Sequence, residues 1–84
     1  MEQELDEWPF ASSRLRIARG RRGLKQKEVA AMVGVSAGAV SRYEAGTLTP
    51  SPETAERIAE ALKFPVKFFY AEEIDLLPIR RQMW

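Results

Sequence analysis

The sequence predicts an all-α fold, and three observations predict it. No stretch sustains the period-2 alternation rich in β-branched residues that a half-buried strand needs. Helix-start residues recur instead, at Ser12-Ser13, Ser36 and Ser51-Pro52. Ala55, Ile58, Ala59 and Leu62 stand at i, i+3, i+4 and i+7, the clearest amphipathic stripe in the chain. With 84 residues, 45% apolar and 30% charged, the chain has room for one small ordered domain with a thin core.

The elements follow in order. Ser12 or Ser13 is a natural N-cap for a first helix, because a side-chain oxygen accepts an otherwise unpaired backbone N–H. Leu15, Ala18 and Arg22 give that helix a single narrow stripe. Gly20 inside it costs ~1 kcal/mol against Ala and is a place for a bend. Gly23 fits the left-handed position that ends the helix, after which Leu24 turns into the core. A second helix is expected from about Gln26 to Val33, with Val29, Ala30 and Val33 inward, stopped by Gly34. Ser36 caps a third helix from Ala37 to Ala45, ended by Gly46, with Val40 and Tyr43 inward and Glu44 beside them. Ser51-Pro52 starts a fourth helix, a cap followed by Pro at the first helical position. Pro65 breaks the chain, and a short fifth helix from about Val66 to Tyr70 turns Phe69 inward. Residues 1–11 read as an acidic arm, 12–70 as the folded unit and 71–84 as a tail cut by Pro78.

Composition excludes several classes of function. The chain has no Cys and no His, which removes disulfides, thiol chemistry, zinc fingers and imidazole catalysis. There is no nucleophile–base pair, Gly-rich phosphate loop or pair of carboxylates suited to acid/base work, so no enzyme, cofactor or metal is expected. No apolar run reaches membrane-spanning length, and the opening MEQELDE is acidic, the reverse of a secretory leader. A cytoplasmic protein is the expectation. The net charge of +1 hides a segregation: residues 14–27 hold seven bases (Arg14, Arg16, Arg19, Arg21, Arg22, Lys25 and Lys27) and no acid. Such a block is a candidate surface for an anionic partner, or plainly a solvated helix face.

The second and third helices are separated by Gly34-Val35-Ser36 alone. A break that short makes the helices cross steeply, at ~90–120°, and small Ala30 permits their close approach. This is a helix-turn-helix, whose second helix can enter the major groove of DNA.

Residues from about Ser13 to Tyr70 resemble the XRE-type DNA-binding domain, the family of phage repressor and Cro proteins. The resemblance rests on Leu24-Lys25-Gln26, Ala30, Gly34-Val35-Ser36, Val40, Tyr43-Glu44, Gly46, Pro50, Ile58-Ala59 and Leu62. It implies a five-helix, repressor-like all-α domain, double-stranded DNA as partner, and a transcriptional role. Ser36, Ala37, Ser41 and Arg42 would then face bases, with Arg42 reaching the O6 and N7 of a guanine. Ala37 and Gly38 stand where many relatives carry longer polar side chains, which shifts the reading toward Ser41, Arg42 and DNA shape. Arg14, Lys25, Gln26, Lys27, Thr47 and Thr49 would meet phosphates. Lys25 replaces the capping Ser or Thr common in relatives, so the second helix starts poorly capped. The family pairs Arg19 with Glu44 as a partly buried ion pair. Phe68, Tyr70, Leu76 and Leu77 are candidates for a homodimer or partner contact, and Trp8, Phe10, Ile74 and Trp84 are further aromatic and apolar residues at the ends. The leading expectation is a regulator, in particular a repressor, binding a near-palindromic operator as a dimer. The alternatives are an antitoxin whose tail holds a toxin, and an adaptor that reads no DNA sequence. Pro65-Val66-Lys67-Phe68-Phe69 is also similar to the junction ahead of a protease domain in metallopeptidase-linked regulators, although no HExxH is present.

Overall fold

The computed structural model describes residues 9–71. Four α-helices and a closing 3-10 helix follow in order: α1 (Ser12–Arg21), α2 (Gln26–Val33), α3 (Ala37–Ala45), α4 (Pro52–Leu62) and the 3-10 helix Val66–Tyr70. No strand occurs among the described residues. The fifth element is therefore a 3-10 turn-and-a-half rather than an α-helix. Pro65 opens this five-residue segment, and its Phe68 N–H closes on the Pro65 carbonyl at 2.9 Å, the tighter i→i+3 ring.

Local sequence explains most helix ends. Gly34 and Gly46 end α2 and α3 with φ of 87° and 81°, and Gly23 beyond α1 takes 67°. The Ser36 hydroxyl accepts the Ala39 N–H, and the Ser51 hydroxyl accepts that of Thr54, with Pro52 at the first helical position. The start of α1 differs from expectation. Ala11, not Ser12 or Ser13, is its N-cap and makes no side-chain cap bond. The Ala11 N–H donates to the Phe69 carbonyl at 2.7 Å, and this long-range bond pins the first turn one residue early. Helix α1 runs through Gly20 to Arg21.

The core lies between all five elements. Leu15 and Ala18 of α1, Val29, Ala30 and Val33 of α2, Val40 and Tyr43 of α3, and Ile58, Ala59 and Leu62 of α4 are buried around Phe69. Leu24, Val35, Phe64 and Phe68 pack against this cluster from its edge. Burying a side chain of Leu or Phe size is worth ~1.5–3 kcal/mol, and Phe69, Leu15, Ile58 and Leu62 are each fully enclosed. Phe10 stacks on Phe69 with ring centroids 5.7 Å apart, and Phe68 and Phe64 extend the aromatic cluster. No helix among the described residues is long and apolar enough to cross a membrane.

Candidate nucleic-acid interface

The turn between α2 and α3 is held by two backbone bonds to one carbonyl. Gly34 and Val35 donate to the Ala30 oxygen at 2.8 and 3.0 Å, while Ala30 itself is buried between the helices. The outer face of α3 is thereby fixed in direction. Ser36, Ala37, Gly38, Ser41 and Arg42 are all exposed on it, while Val40, Tyr43 and Glu44 are buried behind. Ser36 uses an oxygen lone pair for its cap, which leaves the hydroxyl hydrogen free to donate. A guanidinium on an exposed helix face is long enough to reach base edges; the methyl of Ala37 offers only an apolar contact.

The start of α2 lies beside this face. Lys25 and Lys27 are exposed and Gln26 is half-buried. Lys25 carries no acceptor, so only the return half of a capping box forms: its N–H donates to Glu28 Oε1 at 2.7 Å. The cap missing at Lys25 is thus partly replaced from Glu28. The Gln26 amide donates to Glu44 Oε1 at 3.0 Å. It does not stand free in solvent; its nitrogen is turned toward the carboxylate.

Glu44 is the one buried charge among the described residues. Arg19 forks onto it, with Nε to Oε2 at 2.6 Å and Nη2 to Oε1 at 3.0 Å, and Arg19 also donates to the Leu24 carbonyl at 2.9 Å. The hydrogen bond to Glu44 raises the Arg19 guanidinium further into its basic range; partial burial opposes this and the Glu44 charge assists. A buried charge needs such pairing to be tolerated at all.

The seven-base block of residues 14–27 does not form a single patch. Arg19 is spent on Glu44. Arg22 reaches across to the end of α4, donating to the Leu62 carbonyl at 2.6 Å and the Lys63 carbonyl at 3.0 Å, with its guanidinium 4.6 Å from the centre of the Phe64 ring. It is not part of an apolar stripe with Leu15 and Ala18. Arg14 lies 4.8 Å over the Phe68 ring, in the aromatic cluster. Arg16, Arg21, Lys25 and Lys27 remain exposed. The clamp by Arg22 was hidden from sequence reasoning because its acceptors are backbone carbonyls 40 residues away, and no side-chain signal marks them.

Thr47 and Thr49 are exposed after α3, and the Thr47 hydroxyl leans toward the Arg42 carbonyl at 3.5 Å. Phe68 and Tyr70 are half-buried, Phe68 under Arg14 and Tyr70 edge-on to Phe10. Leu76 and Leu77, like Trp8, Ile74 and Trp84, lie outside the described residues. Among the described residues no group of three or more carboxylates, His or Cys is placed to hold a metal ion.

Two crossing helices joined by a three-residue turn, the second bearing an exposed polar face, define a helix-turn-helix protein. The profile of the Helix-turn-helix family matches residues 15–69, and the chain belongs to that family, in its XRE-type branch of Cro and phage-repressor domains. Its relatives are DNA-binding regulators rather than enzymes. The chain is 40% identical over 55 residues to the cryptic phage CTXphi transcriptional repressor RstR of Vibrio cholerae, covering 66% of this chain and 50% of RstR. It therefore spans half the length of that curated relative. Among solved structures it is similar to the P22 c2 repressor in complex with a synthetic operator (28% identity, TM-score 0.67, covering 69% of this chain and 88% of that one). It is also similar to the restriction-modification controller protein C.AhdI of Aeromonas hydrophila (27% identity, TM-score 0.68, covering 70% and 89%).

Proposed function

We propose that the protein is a cytoplasmic, sequence-specific double-stranded DNA-binding repressor that seats α3, residues 37–45, in the major groove of a near-palindromic operator. The observation that carries this is the exposed face of α3, where Ser41 and Arg42 stand clear of the core on a helix whose direction the Ala30 contact fixes. Ser36, Ala37, Ser41 and Arg42 face the bases, Arg42 supplying the main discrimination of ~1–3 kcal/mol at one guanine. Lys25, Gln26 and Lys27 meet the phosphates at the start of α2, with Thr47 and Thr49 beyond α3 and Arg14 at the far side. Residues 12–70 are the DNA-binding unit. Two copies joined through Phe68, Tyr70, Leu76 and Leu77 would address half-sites ~34–36 Å apart. Support comes from the helix-turn-helix fold and from the likeness to RstR and to the P22 c2 repressor bound to its operator.

The test is selection from a randomised duplex pool with the wild-type chain and with Arg42→Ala. A two-half-site motif, relaxed at a single base pair in each half by Arg42→Ala, is the expected outcome. Binding that falls steeply with salt but selects no motif would show phosphate neutralisation alone and refute sequence reading.

A further inference from the structure

Resting on the DNA-binding reading above, we propose that Arg16 is a further phosphate-binding residue, held beside Gln26 by the buried Glu44 carboxylate so that the two side chains grip one phosphate together. Three side chains converge on a single oxygen. Glu44 Oε1 accepts from Arg19 Nη2 at 3.0 Å and from Gln26 Nε2 at 3.0 Å, and Arg16 Nε stands 4.0 Å from it. The Glu44 side chain is 1% exposed and that of Arg16 is 61% exposed. Arg16 is thus anchored loosely at one end, at a separation beyond hydrogen bonding, with the rest of its guanidinium in solvent.

The charges decide what that guanidinium is for. The Arg19 fork already matches the single negative charge of Glu44, so Arg16 is surplus positive charge at this point. Gln26 is oriented by the same oxygen. A carboxylate only accepts, so the amide must present its nitrogen inward, and one of its two N–H groups stays unclaimed by that bond. The exposed Arg16 side chain of α1 and the oriented Gln26 amide at the start of α2 therefore approach the same carboxylate oxygen, at 4.0 and 3.0 Å. Arg16 lies one helical turn before Arg19 on α1, which is why both reach Glu44. A phosphate accepting from Arg16 and Gln26 together would cost Arg16 no hydrogen bond. Of the four bases in α1, Arg19 forks onto Glu44, Arg14 lies over the Phe68 ring, and Arg16 is the further one that stands at the Glu44 carboxylate, at 4.0 Å.

The experiment titrates the full chain, Arg16→Gln, Arg16→Lys, Gln26→Ala and the double variant Arg16→Gln/Gln26→Ala with a random-sequence duplex over a range of salt. Loss of one phosphate contact lowers the slope of log K against log salt by ~0.9. Arg16→Gln is expected to lose that slope and roughly three- to tenfold in affinity, while Arg16→Lys keeps the slope and thermal stability of Arg16→Gln stays at wild type. The double variant loses less than the product of the single losses, because both residues hold the same phosphate. A wild-type slope and affinity in Arg16→Gln would overturn the role of Arg16 and leave DNA binding intact. Multiplicative losses in the double variant would overturn the shared phosphate. A wild-type chain that binds no duplex at any salt would overturn both this role and the DNA-binding reading.

Discussion

Arg19 and Glu44 meet in a two-point fork that joins α1 to α3 across 25 residues of sequence. The partners are unequally placed: the Glu44 side chain is 1% exposed and that of Arg19 21%. Arg19→Ala leaves a carboxylate in the interior and is expected to cost about 3–5 kcal/mol. Glu44→Ala should cost less, since Arg19 keeps the Leu24 carbonyl and access to water. Urea unfolding of both variants checks the order, and a larger loss in Glu44→Ala would contradict it.

Arg22 binds the end of α4 by two carbonyls and covers the Phe64 ring. Arg22→Ala is expected to destabilise by roughly 1–3 kcal/mol, through freed carbonyls and lost packing. Arg22→Lys should recover little, because an ammonium cannot present the planar fork. Equal stability of Arg22→Lys and wild type in denaturant titrations would show that charge alone matters there.

Lys63 ends α4 in the left-handed region at φ 62°, the one non-glycine residue among those described with positive φ. A side chain with a Cβ is strained there, and glycine is not. Lys63→Gly is expected to raise stability by roughly 0.5–1 kcal/mol, the relief exceeding the added freedom of the unfolded chain. The bond from Arg22 goes to the Lys63 backbone carbonyl and survives the change. A shift of the urea midpoint upward is the readout.

Tyr70 has its pKa pushed above the ordinary phenol value of 10.0, first by burial and then by the charge of Glu56. The unfolded chain releases this proton near 10.0 and the folded chain only at higher pH. Above that value the unfolded state binds fewer protons, so stability falls as pH rises. The contribution is complete below 10.0 and is lost as pH climbs through the folded value. Unfolding free energies at neutral and strongly alkaline pH should show a shallower alkaline decline in Tyr70→Phe than in wild type.

The sequence shows most plainly what depends on neighbours along the chain. Ser51-Pro52 and the stripe through Leu62 mark α4 because caps and helical spacing are local. Gly34 and Ser36 mark the helix-turn-helix for the same reason. Long-range partners were not visible in local spacing; the pairing of Arg19 with Glu44 came only from the family resemblance. Ser12 and Ser13 are both good caps, yet a bond from Ala11 to Phe69 decides where α1 begins. Seven bases within residues 14–27 read as one candidate charged surface, but their bonds to Glu44 and to the end of α4, and the cover over Phe68, divide it. Counting charges shows how many there are; only the fold shows which are already matched.

The bond from Ala11 to Phe69 and the stack of Phe10 on the same ring bring the two ends of the domain to one place. The order of the helices along the chain is then separable from their order in space. A circular permutant that joins residues 10 and 70 by a short flexible linker and opens at the exposed Thr47–Thr49 loop would keep every helix in its seat. It would also place new termini beside the end of α3, where a reporter or second module could be attached close to the bases that Arg42 is proposed to read.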